Sequence, residues 1–573
     1  MSEGLTITTE QVDDFPVLTA QMKHMGIPEL LDGQFPVHGN WQGLSLGWVA
    51  TGWLGHILSA GDHRLNHVQP WVERNPQTVQ RSIGQAVTGL DFSDDRLEGV
   101  LDALGDDENW TTFEAELNQR TLRVYALKAE LVRVDSTTAS GYVSVTEDGL
   151  FQFGHSKDHR PDLPQVKVMQ STLDPFGMPL VTQVVSGEKA DDRLYIPAIQ
   201  QVRQGLKKRG VLYVGDSKLM SLDNRAYLQA GGDYYLGPFS KVQFSDEALA
   251  TQLQAVWSGE QALTPIYRTN AEGEEEKIAE GFEQAQSLSA TLDGKDVTWG
   301  ERRLFIRSFQ MAKAAESALR ERLDKAQAAL EALNERKQGK PHFTEIEVLR
   351  QAAEEILRQY RVEGLLSLSF TQHVQERQVR KYGDRPAEVR IERAVSLAVS
   401  RNEPAIQHAI AHLGWRMYGT NASPDDLPLA KAVLAYRNEY LVERGFARLK
   451  GRTLSLTPMF LKEDRRVTGL IRLLSIGLRV LTFLEFVVRR GLAQNQEQLA
   501  GLYAGNPKRT TATPRAETLL EAFKNIYLNS VTIGAQVLLH ITPLSELQRK
   551  ILSLWGLSPD IYSQLAADSL EPP

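Results

Sequence analysis

Residues 130–136 read ELVRVDS, and here the texture of the chain changes. Val132 and Val134 alternate with Arg133 and Asp135, the period-two pattern of a strand rich in β-branched residues, with a carboxylate at its far end. Two more strand-like runs follow, QVKVMQSTLD (165–174) and PLVTQVVSGE (179–188). A helical segment is predicted over 192–208. Then GVLYVGDS (210–217) reads as a buried strand, SLDNRAYLQAGG (221–232) as a capped helix ended by glycines, and DYYLGPF (233–239) as another strand. The order is three strands, helix, strand, helix, strand, an α/β core.

An acidic residue that closes an apolar strand is costly unless it faces a cleft. Asp135 follows LVRV and Asp216 follows VLYVG, so two carboxylates could share one edge of the sheet. A third comes from YRNEYLVERGFARLK (436–450), where Tyr436, Glu443 and Lys450 are spaced by seven. On one helix that spacing returns to the same face. Val442, Phe446 and Leu449 make the apolar stripe beside it, which places Glu443 at the rim with Arg444, Arg448 and Lys450 within reach. Three carboxylates from two strands and a helix suit two divalent cations, which activate a water or a 3′-hydroxyl for phosphoryl transfer. Magnesium favours such oxygen ligands. The competing reading makes each aspartate the start of an Asx turn, in DSTT and DSK, and the helix a surface helix with charge pairs.

Composition bounds these readings. The chain has 573 residues, too many for one core; 42% are hydrophobic and 24% charged, as in soluble globular proteins. It has no cysteine, which excludes disulfides, thiolate catalysis and cysteine zinc sites. The start, MSEGLTITTEQVDDF, has no apolar segment of a secretory signal, and 467–488 is apolar but broken by Arg472, Arg479 and Glu485. The expectation is a cytoplasmic protein without a membrane partner. The net charge of −8 hides an asymmetry. Residues 1–110 hold 5 Lys and Arg against 16 Asp and Glu, whereas 431–515 hold 16 against 6. The basic zone starts where the Tyr–Glu–Lys stretch lies, a weak pointer to phosphate.

Along the chain, four segments are expected. Residues 1–125 form a helical N-terminal region for DNA-end binding or dimerisation, and 126–240 form the first part of the core. Residues 241–430 form an insertion with short strands and a helical hairpin, whose two helices are separated by a turn at QGKP (338–341). Residues 431–573 return to the core and end in helices.

The order Asp, Asp, Glu on these elements resembles the DDE transposases of bacterial insertion sequences. It resembles the branch of insertion-sequence family 4 in which Tyr, Arg, Glu and Lys are separated by two, three and six residues. Tyr436, Glu443 and Lys450 fit that pattern; Glu439 stands where it has arginine. FGHSKDHRPDLPQVKV (153–168) and LTPMFLKEDRRVTGLIRLLSIGL (456–478) look like the offshoot numbered 1634. The resemblance implies a ribonuclease-H-like mixed-sheet core, interrupted by the insertion. It implies cleavage and strand transfer of DNA with two Mg²⁺ or Mn²⁺ ions on Asp135, Asp216 and Glu443. Tyr436 and Lys450, with Arg444 and Arg448 nearby, would hold phosphates of the terminal inverted repeats. A homodimer would synapse the two ends on target DNA, in a prokaryotic nucleoid. The alternatives are a transposase-derived DNA-binding protein that no longer cuts, and a stand-alone ribonuclease-H-like nuclease.

Two further groups are candidates. His155, Lys157, His159 and Arg160 sit in a loop-like stretch and are expected to approach phosphate. His155 and His159, with Asp158 and Asp162, are also considered as a zinc site, against which Pro161 argues by disfavouring a helix. Trp415, in LGWRMYGTN, is either strand core or, by the resemblance, the tryptophan that stacks on a flipped base at the element's end.

Overall fold

The computed structural model describes residues 5–269, 273–335, 343–379, 388–533 and 536–567. It contains two compact units: 1–237 with 287–299 and 435–573, and 238–286 with 300–434.

In the first unit, five strands run in the order Met178–Ser186, Gln165–Leu173, Leu131–Ser140, Leu212–Gly215, Tyr234–Pro238. The first three in sequence pair antiparallel, and the last two join in parallel. Helices Tyr195–Leu206 and Leu222–Ala230 supply the crossover connections that parallel pairing requires. This order and these directions are those of a ribonuclease-H-like core, and every strand and helix read between 130 and 239 is present. The strand Gln165–Leu173, between Met178–Ser186 and Leu131–Ser140, is buried along its whole length.

The reading of 436–450 as one helix is corrected. A helix over Leu429–Arg437 stops, residues 438 and 439 turn, and a second helix runs Tyr440–Lys450. The junction is closed by i→i+3 bonds: Glu439 N–H to the Tyr436 carbonyl (3.0 Å), Leu441 to Asn438 (3.0 Å) and Val442 to Glu439 (3.1 Å). Asn438, whose side chain competes for backbone partners, is a poor helix former at that point.

The long apolar stretch is a single 32-residue helix, Asp464–Asn495, buried along most of its middle. Among the described residues no helix is long and apolar enough to cross a membrane. Arg472 and Arg479, which interrupt the apolar run, answer acids of the N-terminal region. Arg479 (1% exposed) donates to Glu114 (2.7 Å) and to the carbonyls of Pro179 and Leu180. Arg472 pairs with Asp107, and Arg466 with Glu98 and Asp102. The acidic start and the basic zone thus neutralise one another inside one unit. Among the described residues seven α-helices precede residue 126, where short helices are expected, and a strand, Leu5–Gln11, precedes them. It pairs antiparallel with Tyr527–Ile533, which pairs with Gln536–Ile541. Two strands thus stand in the C-terminal part among the helices read there.

The second unit contains the helical hairpin, Phe309–Glu331 and Ile346–Tyr360; the turn read at 338–341 lies outside the described residues. Thr264–Thr269 and Trp415–Thr420 are short, as read, with 6 residues each, whereas Glu275–Leu292 has 18 residues and Lys295–Ser308 has 14. Leu366–Val379 and Glu388–Arg401 form a separate antiparallel ribbon. One core joins the hairpin to that ribbon through Leu319, Leu323, Leu357 and Leu397. Another gathers Leu253, Phe282, Phe305, Trp415 and Met417.

Candidate functional site

Parallel pairing of Leu131–Ser140 with Leu212–Gly215 aligns Val134 with Gly215. The next residues on the two strands are Asp135 and Asp216, near enough for the Asp216 charge to act on Asp135. Both line a small pocket with Arg133, Tyr436, Glu439 and Val442. Asp135 Oδ1 accepts from the Ser136 N–H (2.7 Å) and lies 3.4 Å from Lys157 Nζ. Asp216 Oδ1 accepts from the Tyr195 hydroxyl (2.6 Å) and the Lys218 N–H (2.8 Å). Burial pushes the Asp135 carboxyl up to about 6; Lys157 opposes this and the Asp216 charge adds to it. Burial, with Asp216 and Asp135 beside it, drives the Tyr195 hydroxyl well above its ordinary value, so it remains a donor to Asp216.

From the signature segment, the residue lining this pocket is Glu439, and the pocket's lining does not include Glu443. The i→i+3 junction turns Glu439 inward at the head of Tyr440–Lys450. Glu443, one turn on, is exposed. Burial raises the Glu439 carboxyl; a hydrogen bond from Tyr436 opposes the rise, while the charges of Glu443 and Asp216 add to it. Among the described residues no three His, Asp or Glu side chains stand close enough together to hold a metal ion. The pair of aspartates is assembled with Glu439 at the same pocket; Glu443 is not drawn up to it.

The cations fall into two groups. Arg448 is 7% exposed and donates to both Glu517 oxygens (2.7 and 2.9 Å) and to Glu485. Arg444 and Arg489 also pair with Glu485, at 2.8 and 2.9 Å. Arg448 therefore holds Tyr440–Lys450 against the long helix from inside. Lys450 pairs with Asp158 of the loop joining the first two core strands. In that loop Lys157 Nζ donates to the Ser136 carbonyl (2.6 Å) and hydroxyl (2.9 Å), whereas His155 and His159 are exposed and Arg160 pairs with Asp162 (2.7 Å). Trp415, 8% exposed in the second unit, packs edge-on to Phe282, and its indole N–H donates to the Ala411 carbonyl. A base could reach that ring only after this packing opens.

Three residues of the site escaped the sequence reading. Asp191 links Lys157 (3.8 Å) to Lys167 (2.6 Å); burial pushes its carboxyl up, and the two lysines outweigh that and leave it below its ordinary value. Tyr195 has no local signature. Glu439 did have one, as the acidic residue standing where the resembling pattern has arginine.

Residues 7–115 match the profile of a family described as a domain of unknown function (DUF4277). No curated protein matches the chain. Among solved structures, the cryo-EM structure of the piggyBac transposase synaptic complex with hairpin DNA aligns with 97% of this chain and 86% of that one. The likeness is distant, with a TM-score of 0.35 and 6% identity, and the strand order described above stands independently of it.

Proposed function

We propose that this chain is a DDE transposase that cuts DNA at the ends of its own mobile element and joins them to a target. The observation that carries the reading is that Asp135 and Asp216, which follow the paired residues Val134 and Gly215, line one pocket of a ribonuclease-H-like sheet together with Tyr436, Glu439 and Val442 of the signature segment. The donors are hard oxygens, and the Asp216 charge beside Asp135 adds to the rise of the Asp135 carboxyl, a concentration of negative charge that fits Mg²⁺ or Mn²⁺. Asp135 and Asp216 would hold the ions, with Glu443 as the acid drawn in when DNA is bound. Bound there, the ions would polarise the phosphoryl group and activate the attacking hydroxyl. Tyr195 orients Asp216 through its 2.6 Å bond, and the Ser136 amide orients Asp135. Lys450, Tyr436 and the exposed loop residues His155, His159 and Arg160 would receive the DNA phosphates, and a homodimer would hold the two ends. Arg444 and Arg448 support the helix that presents them.

The test uses duplexes that carry the inverted repeats flanking the gene. Wild-type protein should nick them only with Mg²⁺ or Mn²⁺; Asp135→Asn and Glu443→Gln should bind them and leave them intact. Cleavage by Glu443→Gln at the wild-type rate would remove Glu443 from the site. Tight binding by all forms with no cleavage under any divalent ion would favour the DNA-binding protein without catalysis.

A further inference from the structure

Two adjacent loop residues, Lys157 and Asp158, make crossed ion pairs with the proposed machinery. Lys157 carries its ammonium to Asp135 (3.4 Å) and Asp191 (3.8 Å), and Asp158 carries its carboxylate to Lys450. The loop is built to hold them so. The Lys157 amide donates to Thr138 Oγ1 (3.0 Å) on the first core strand, and Ser156 Oγ accepts from the amides of Asp158 (3.3 Å) and Arg160 (3.1 Å). A cation thus lies on the acid that would take a metal, and an anion on the base that would take a phosphate.

We propose that the Lys157–Asp158 pair is an internal clasp, in which Lys157 stands in for the divalent cation and Asp158 for a DNA phosphate. The inference rests on the transposase reading and adds a resting state to it. A metal entering at Asp135 displaces Lys157, and a phosphate arriving at Lys450 displaces Asp158. Because the two residues are neighbours on one turn, release of either loosens the other, and the site opens most readily when metal and DNA are both present. Glu485 and Glu517 already neutralise Arg448 and Arg444 nearby, so Lys450 is the cation of this helix whose partner lies on a loop.

The test uses the full chain and two probes. Mn²⁺ binding without DNA is read by paramagnetic resonance of the free ion. Lys157→Met should bind Mn²⁺ at least about tenfold more tightly than wild type, since a neighbouring like charge is gone. Lys157→Arg should stay near wild type. Binding of a short mixed-sequence duplex in chelator is read across a salt series. Asp158→Asn should bind more tightly, with a salt slope steeper by about one, because Lys450 becomes available. Asp148→Asn, an exposed carboxylate on the same loop, should leave the slope unchanged. Circular dichroism and melting check that each variant folds. Wild-type Mn²⁺ affinity in folded Lys157→Met, while Asp135→Asn has lost binding, overturns the clasp; so does an unchanged slope in Asp158→Asn. Undiminished Mn²⁺ binding by Asp135→Asn overturns the cation site itself, and the clasp with it.

Discussion

Replacing Asp135 with asparagine should make the folded chain more stable at neutral pH. A carboxyl held at about 6 rather than near 3.8 is disfavoured as the anion by about 3 kcal/mol in the folded state, at 1.36 kcal/mol per tenfold. The side chain is 22% exposed, and screening trims the effect to about 2–3 kcal/mol. The dependence on pH has a definite sign. Below about pH 4 the group is protonated in both states and costs nothing. Between about 4 and 6 the folded chain holds a proton that the unfolded chain has released, so wild-type stability falls as pH rises, and it is flat above. Urea unfolding of wild type and Asp135→Asn at pH 4, 5, 6 and 8 should therefore show a gap that opens across that window. Millimolar Mg²⁺ at pH 8 should narrow the gap by stabilising the wild type alone, since a ligand bound only to the folded state adds RT ln(1 + [L]/Kd). A variant less stable than wild type at pH 8, or a gap independent of pH, would refute the electrostatic account of this pocket.

Other outcomes follow from the same geometry. Arg479→Met should cost about 3–5 kcal/mol in urea unfolding by leaving Glu114 buried without its counter-charge, and Glu114→Gln in the same chain should recover part of the loss. Arg448→Ala should lower the melting temperature, because the side chain is buried between Glu485 and Glu517; wild-type stability with weakened DNA binding would instead make it a surface phosphate contact. Trp415→Ala should destabilise the second unit by about 3–5 kcal/mol, read by differential melting, as expected for emptying a core tryptophan site.

The α/β core was legible because its signals are local. Val132 and Val134, the alternation in 165–174, and the glycines after 230 each mark an element within ten residues. The partner of Leu5–Gln11 was not, since Tyr527–Ile533 lies some five hundred residues on and either strand alone is only 7 residues long. Asp135 and Asp216 could be placed together because both follow short apolar runs, although Asp135 lies within Leu131–Ser140 and does not close that strand as read, whereas Asp216 follows the end of Leu212–Gly215. The failure at 436–450 has a different cause. A spacing of seven gives one face only while the helix is continuous, and two turn residues suffice to separate Tyr436 from Glu443 and to bring Glu439 inward. Arg448 misled for a simpler reason: a guanidinium reads as surface until its buried acids, Glu485 and Glu517, come from 37 and 69 residues away.

The ion pairs along Asp464–Asn495 bear on how this chain can be dissected. A fragment beginning at Glu130 keeps all five core strands and the whole signature segment, and looks on paper like a free-standing catalytic piece. It would strip Asp107 from Arg472 and Glu114 from Arg479, and remove Leu5–Gln11 from the C-terminal sheet, leaving two guanidiniums solvated on one side of a helix shaped to be interior. The first 125 residues behave as a missing wall of the core rather than as an attached module. Cutting there should yield aggregation in place of a smaller enzyme.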